Sequence, residues 1–279
     1  MEKEKKKKSV VKILLITVSV LYIGLLLVLP LVFVLIQAFG NGLQDYLANI
    51  TDEYTVKAVE LTLLATVTAL LVNTIFGLFA AWAVTKFQFR GKKVVTTMID
   101  LPLSISPVIA GLIFILTFGR SSPLFDYFNQ MNLKIAYAVP GVLLVTVFVT
   151  FPFISREIIP VLLAQGKDEE EAAALMGAGG FEIFRKITFP HIKWAMLYGV
   201  VLCTARAMGE FGAVSVISGN LRGKTNTIPL HVQILYNEFK YAPAFAVSSV
   251  LVVMAIIILV VRSIVEYRWK KIERYRQRG

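Results

Sequence analysis

The chain has 279 residues, of which 57% are hydrophobic and 17% are charged, and its formal net charge is +11. A soluble globular protein has about 45–50% apolar and about 25% charged residues. This composition excludes a soluble globular enzyme and a disordered chain. It also disfavours a membrane β-barrel, whose strands alternate apolar and polar residues. The sequence therefore predicts an all-α integral membrane protein.

Six apolar runs are long enough to cross a membrane, because a helix needs roughly 20 apolar residues to span a ~30 Å hydrocarbon core. The first run follows a basic start but is too long for the apolar region of a signal peptide, so we expect it to be retained as a helix. The predicted spans are Ile13–Gln37, Val56–Val84, Val94–Phe118, Ile135–Phe153, Trp194–Ile217 and Ala242–Val261.

The basic residues predict the orientation of these spans. Of the 29 Lys and Arg residues, 22 lie in the two termini and in the segments 85–93 and 155–193, whereas the three other loops hold six. By the positive-inside bias, both termini are predicted to be cytoplasmic. The expected organisation is a basic N-terminus at 1–12, a transmembrane domain at 13–265 and a basic tail at 266–279. Because the charges flank spans, we expect them to face anionic headgroups and not a nucleic acid.

The third span carries two prolines, Pro102 and Pro107, with Ser104 and Ser106 between them. Each proline removes a backbone donor and frees a carbonyl group, so we expect this helix to be broken. Transporters use broken helices where freed backbone groups line a cavity, and the two serines are candidates for the translocation path. A kink that serves only the shape of the bundle is the alternative.

Residues 165–193 form the longest interruption between spans, and 165–190 are its most informative part. Four acids at Asp168–Glu171 favour the first turn of a helix, and Gly177 is expected to stop that helix. A second short helix is predicted to follow and to end at Pro190. The two helices would form a compact knob. The residues alone leave open whether this knob binds a partner or lies on the lipid headgroups.

The fifth span contains Arg206 and Glu210, which lie four residues apart and so share a helix face. Charges inside a membrane are costly and usually face protein or water. The pair is predicted either to form a structural salt bridge or to line or gate the translocation path.

Motifs of catalysis are missing from the sequence. It has no complete phosphate-binding loop, dinucleotide fingerprint, Ser/His/Asp arrangement or HExxH motif. We therefore expect no catalytic residue, metal site or cofactor in this chain. If the protein does work, another chain must supply the energy.

The knob segment resembles the EAA signature of ABC importer permeases, which runs EAA-x3-G-x9-I-x-L-P. The chain departs from it only at Phe189, where leucine is usual. In that family the segment is the cytoplasmic coupling helix that docks into a groove on the ATPase subunit. The resemblance implies ATPase coupling by Glu171, Ala172, Ala173, Gly177, Ile187 and Pro190.

Further stretches are similar to the sulfate/thiosulfate permeases, and most of all to their W-type subunit. They are Asp100–Gly111, Phe148–Phe153 and Tyr198–Gly219. The resemblance implies a six-span type I ABC importer permease in the inner membrane of a prokaryote, working by alternating access. It also implies a T-type permease as heterodimer partner, ABC ATPase subunits that hold ATP and Mg, and a periplasmic or lipid-anchored anion-binding protein.

Three other functions stay open at this point. Molybdate and tungstate permeases share part of the pattern, and such a permease could be a homodimer. An ion-coupled secondary carrier would be expected to show an internal repeat and more ionisable residues at mid-membrane. A non-transporting membrane scaffold would leave the EAA spacing unexplained.

Overall fold

The computed structural model describes residues 2–276, and its side chains from 12 to 268. The basic N-terminus 1–12 and the basic tail 266–279 therefore fall largely outside the described side chains. The described chain is helical, with π-helical turns at Gly24–Val28 and Phe184–Thr188. The helices are α1 (Glu2–Ile23), α2 (Leu29–Ala38), α3 (Leu43–Ile50), α4 (Glu53–Lys86), α5 (Lys92–Ser104), α6 (Pro107–Phe118), α7 (Phe125–Gln130), α8 (Val139–Thr150), α9 (Pro152–Gln165), α10 (Asp168–Leu175), α11 (Gly180–Ile183), α12 (Phe189–Met208), α13 (Gly212–Ile217), α14 (Ile228–Asn237) and α15 (Tyr241–Arg276).

Four continuous helical segments within the described chain are long and apolar enough to cross a membrane. A fifth candidate is the pair α5 and α6, which is bent by 109° at the break between them. The break that the prolines of the third span predicted is thus confirmed. The four continuous segments are Lys12–Ala38, Glu53–Lys86, Val139–Gln165 and Tyr241–Arg268.

Two predicted spans differ from the structure. The fourth was expected to end at Phe153, but its helical segment continues to Gln165. The fifth, Trp194–Ile217, was expected to be one helix and is not. Helix α12 ends at Met208, the chain leaves helical geometry near Gly209, and α13 begins at Gly212. Helix α12 is not among these candidates, so by length and composition the described residues contain four candidate spans, or five with the broken pair.

Helix α4 is the central element of the bundle. Its 34 residues correspond to about 51 Å at ~1.5 Å per residue. Asp52 caps its first turn by accepting hydrogen bonds from the Tyr54 and Thr55 amides. The residues that α4 buries include the small Ala58, Ala65, Ala69, Gly77 and Ala81. Small residues allow neighbouring helices to approach closely, so the bundle packs around this helix.

Three apolar clusters form the core, and α4 contributes to each. Ala65 packs with residues of α6, α8, α13 and α14. Ala81 packs with residues of α9 and α12. Ala58 packs with residues of α14 and α15. Helix α4 is therefore in contact with the core along its whole length.

The first apolar segment lies at the periphery of the bundle. Its contact with the rest of the chain includes α2 against α15, where Phe33 meets Phe245 edge-on at a ring separation of 6.0 Å. Most of its large apolar side chains are exposed. In a membrane, such side chains are covered by lipid.

Candidate functional site: a two-helix knob and two broken helices

Helix α10 forms the first half of the knob and ends at the glycine that the sequence indicated. Gly177 has φ +90°, a conformation that favours glycine. Its amide donates to the Ala174 carbonyl at 3.0 Å, and the Ala178 amide donates to the Ala173 carbonyl at 3.1 Å. These two bonds are the Schellman pattern of a helix C-terminus. The predicted helix stop is confirmed.

The second half of the knob does not end at Pro190, and that expectation was wrong. Helix α11 leads through the π-helical turn Phe184–Thr188 directly into α12. The Phe189 amide donates to the Phe184 carbonyl, five residues back. Pro190 lies directly after this π-helical turn, in the first turn of α12. The knob is therefore continuous with the long helix that follows it.

The tip of the knob is apolar and strongly exposed. Leu175 is 90% exposed, Met176 83% and Phe181 78%. Glu171, Ala172 and Gly177 are exposed as well, Ile187 and Pro190 are half-buried, and Ala173 is buried. The tip residues were not predicted from the sequence, although the Leu-Met pair just before Gly177 was a visible signal. Exposed apolar side chains in one place are typical of a surface that binds another protein.

An ion pair joins the base of the knob to the C-terminal end of α4. Lys86 Nζ lies 3.0 Å from Glu170 Oε1 and donates a hydrogen bond to the Gly166 carbonyl at 2.6 Å. Glu170 Oε1 also accepts a hydrogen bond from the Thr188 hydroxyl at 2.7 Å. The side chains of Lys86 and Glu170 are only 7% and 17% exposed. The four consecutive acids gave no means of choosing Glu170, so this contact was not predicted from the sequence.

Two further interactions shape the knob. His191 Nδ1 lies 2.7 Å from the Ile187 carbonyl, and its Nε2 lies 3.5 Å from Glu169 Oε2. On the exposed side, Lys186 donates a hydrogen bond to Glu182 at 2.6 Å. This bond lowers the pKa of Glu182 and raises the pKa of Lys186, so both side chains are charged at neutral pH.

The two helix breaks lie against each other. A Cβ atom on Gly212 would come within 3.0 Å of Pro107 Cβ, and a Cβ on Gly111 within 2.5 Å of the Ala213 carbonyl oxygen. The backbones of α6 and α13 are therefore in direct contact. Ser104 and Ser106 flank the first break and are exposed. The structure thus brings the serine segment next to the break that follows Arg206.

Arg206 and Glu210 pair with each other at the second break. Arg206 Nη2 lies 2.8 Å from Glu210 Oε2, and the Glu210 side chain is only 1% exposed. Glu210 Oε1 also accepts a hydrogen bond from the Ala213 amide at 2.8 Å. Glu210 therefore caps the first turn of α13 as well as neutralising Arg206. The predicted salt bridge is present.

The family model that matches residues 73–272 is the binding-protein-dependent transport system inner membrane component. The chain is similar to the sulfate transport system permease protein CysW of Escherichia coli K12, with 43% identity over 94% of this chain and 90% of that protein. The CysW protein of Synechococcus elongatus is 45% identical over 95% and 92%. The sulfate permease protein CysT of Salmonella typhimurium is 33% identical over 86% and 87%.

Among solved structures, a crystal structure of a bacterial alginate ABC transporter matches with a TM-score of 0.77 and 17% identity, covering 97% of each chain. That transporter was crystallised with an alginate pentasaccharide-bound periplasmic protein. At this identity the match concerns the fold. The chain has the permease fold of an ABC importer.

Proposed function

The chain belongs to the family of inner membrane components of binding-protein-dependent transport systems, and we propose that it is the permease subunit of an ABC importer for sulfate or thiosulfate. The observation that carries this proposal is the 43–45% identity to two sulfate permease proteins over nearly the whole chain. Because this similarity covers the broken helices as well as the knob, it supports the substrate together with the machinery. It favours sulfate over molybdate or tungstate, and an ATP-driven importer over an ion-coupled carrier.

In this function the chain is a non-catalytic transport subunit. ATP and Mg are bound by separate ABC ATPase subunits, which dock on the knob. The docking residues are Glu171, Ala172, Ala173, Gly177, Ile187 and Pro190, and the exposed Leu175, Met176 and Phe181 extend the surface. Large apolar side chains that fill a partner's pocket supply much of the affinity of a protein interface. ATP binding closes the ATPases, and the knob carries this motion to the membrane helices.

Two kinds of partner complete the transporter. A T-type permease is the second half of the pathway, and the CysT relative supports a heterodimer. Exposed apolar side chains along α5 and α6, such as Met98 and Leu116, offer a face for that subunit. A periplasmic or lipid-anchored sulfate-binding protein docks on the outer loops. Both termini and the knob are cytoplasmic, and the chain lies in the inner membrane of a prokaryote.

The adjoining helix breaks are the best candidates for the path. Ser104 and Ser106 offer hydroxyl groups, and the broken backbone nearby offers uncommitted polar groups. Neutral donors of this kind hold a sulfate ion without the strong attraction of a fixed charge, so the ion is released easily. Arg206 keeps its positive charge paired with Glu210, which limits its attraction for the ion. The pair therefore sets the shape of the path more than its charge.

The test is sulfate-dependent ATP hydrolysis in proteoliposomes that contain this chain, the T-type permease, the ATPase and the sulfate-binding protein. We expect sulfate to stimulate hydrolysis in the wild type. We expect Gly177→Asp to abolish the stimulation, because a charged side chain at a positive φ disturbs the end of α10 on the docking surface.

Gly179→Asp is the matched control. Gly179 has φ −72° and open space around its Cβ position, and it lies at the N-cap of α11, where aspartate is favoured. This variant adds the same charge two residues away and should retain the stimulation. Stimulation by molybdate but not by sulfate would mean that the substrate is molybdate and not sulfate. Uptake by this chain alone without ATP would refute the proposed function.

A further inference from the structure

We propose that Lys86 and Glu170 form a joint that transmits the motion of the knob to α4, and that both are positioning residues for coupling. The inference rests on the proposed function and goes beyond the EAA docking residues, none of which makes this contact. It assigns a role to a lysine at the end of a membrane helix and to one of four consecutive acids.

The position of Lys86 makes it suited to this role. It is the last residue of α4, and its amino group reaches the Gly166 carbonyl and the Glu170 carboxylate together. A positive charge at the C-terminus of a helix is stabilised by the helix dipole. One side chain thus holds the end of α4 both to the loop before α10 and to the first turn of α10.

Glu170 connects three elements through a single carboxylate. It lies in α10, pairs with Lys86 of α4 and accepts a hydrogen bond from Thr188 in the π-helical turn before α12. Thr188 is buried, whereas Asp168 and Glu171 in the same turn are exposed. Glu169 lies near His191 of α12, but Glu170 is the acid that joins α10 both to α4 and to the turn before α12.

A gain in folding stability does not explain why this ion pair is buried. Removing a lysine and a carboxylate from water has a large desolvation cost, and apolar replacements of buried ion pairs are often as stable. The pair fixes the orientation of α10 relative to α4, because the Glu170 carboxylate bonds to Lys86 and to Thr188 at the same time. A parallel apolar contact already holds the knob near α4, since the rings of Trp82 and Phe184 lie 6.1 Å apart. Variants of the polar joint should therefore leave the knob folded.

Helix α4 is the element through which such a link affects the whole subunit. It takes part in all three apolar clusters, and its far end lies about 51 Å from Lys86 at ~1.5 Å per residue. Close-packed interiors shift between discrete arrangements and deform little in between. A displacement of α10 that is passed to Lys86 therefore moves α4 as a rigid body, together with the helices packed on it.

The experiment measures sulfate transported per ATP hydrolysed in the complete complex in proteoliposomes. The variants are Lys86→Met, Glu170→Gln and the double variant, and assembly with the ATPase is measured by co-purification. We expect each single variant to assemble and hydrolyse ATP. Transport per ATP should fall by about fivefold or more, the low end of the range for coupling between sites. The double variant should be no worse than the more affected single variant, because the two residues act as one unit.

Matched controls separate the joint from a general effect of charge. Asp168→Asn removes an exposed acid from the same turn, and Lys93→Met removes an exposed lysine from the segment after α4. Both should keep the wild-type ratio, and Lys86→Arg should retain much of it because a guanidinium can donate to both partners.

The outcomes distinguish this inference from the proposed function. A wild-type complex without sulfate-stimulated hydrolysis would refute the function itself. A working wild type whose joint variants keep the wild-type transport per ATP would overturn the joint. The joint would also be overturned if assembly, hydrolysis and transport fell together while the sulfate transported per ATP hydrolysed stayed unchanged. That result would mean that the pair only holds the docking surface together.

Discussion

His231 shows how a single residue takes its properties from its surroundings. It is buried, and its Nε2 lies 3.3 Å from the Thr55 hydroxyl at the end of α4 opposite the knob. Burial lowers the pKa of His231, and the nearby Arg222 lowers it further, against smaller opposing effects of Asp52 and Glu238. Its burial is a consequence of how α14 packs on α4.

The lowered pKa of His231 predicts a loss of stability in acid. The unfolded chain takes up a proton on this residue as the pH falls through about 6.5, whereas the folded chain does so only at lower pH. Between the two pKa values, each pH unit costs up to about 1.4 kcal/mol of folding free energy. We expect the thermal midpoint of the detergent-solubilised protein to fall between pH 7.5 and 5.5, and to fall less in His231→Gln.

The quantity to compare is the slope of the thermal midpoint against pH in the two proteins. This comparison removes the direct effect of the substitution, since His231→Gln can lower the midpoint at every pH. Equal slopes in the two proteins would mean that His231 does not account for the acid sensitivity.

At the scale of elements, the breaks and turns carry more information than the helices. Pro190 was expected to end a helix, but the π-helical turn before it lets the chain continue. At Gly209 and Gly212 the sequence is compatible with either a local kink or a close helix contact, and the structure has a break there. In the structure Gly212 lies against Pro107, so the second break fits against the first.

The contact between α6 and α13 predicts the effect of Gly111→Ala. The added methyl group would lie 2.5 Å from the Ala213 carbonyl oxygen, so the two backbones must separate. Overpacking of this kind typically costs about 1–3 kcal/mol. We expect a lower thermal midpoint in detergent and, because the breaks are the candidate path, reduced sulfate transport.

Gly24→Ala is the control for this prediction. Apart from the backbone of its own helix, no described atom lies within 4 Å of the Cβ position of Gly24, which is also in a helical region of the chain. Its midpoint should match or slightly exceed that of the wild type. If Gly111→Ala melted at the same temperature as Gly24→Ala, that result would contradict the close backbone contact between α6 and α13.

At the scale of the whole molecule, α4 has the loop 218–241 at one end and the knob at the other. Tyr54 at its start contacts Arg222 through a cation–π interaction, with 4.8 Å between the Arg222 Cζ atom and the ring centroid. Arg222 in turn pairs with Glu238 at 2.8 Å. At the other end of α4, Lys86 holds the knob. The loop 218–241 and the knob are therefore at opposite ends of one helix, which is long enough to cross a membrane.

This arrangement predicts which residues are accessible from each side of the membrane. If the proposed orientation holds, Tyr236→Cys, at an exposed site in the loop 218–241, will react with a membrane-impermeant maleimide in intact spheroplasts. Leu175→Cys, at the tip of the knob, should react only in inside-out vesicles. The native Cys203 is buried, and a Cys203→Ser background removes it from the measurement.

Labelling of Leu175→Cys from outside would contradict the proposed orientation, and therefore also the docking of the ATPase on the knob. Labelling of both positions from one side would contradict the placement of the two ends of α4 on opposite faces of the membrane.

The sequence by itself determined the all-helical membrane class, the broken third span, the end of α10 at Gly177 and the family resemblance. These features depend on local chemistry: apolar run length, missing proline donors, the freedom of glycine and short motif spacing. Only the tertiary structure decided that Glu170 and not its neighbours pairs with Lys86, that the two breaks adjoin, and that Glu210 caps α13. Each of these depends on residues far apart in the chain or on the exact direction of a helix end, because burial and partner choice arise when the helices pack.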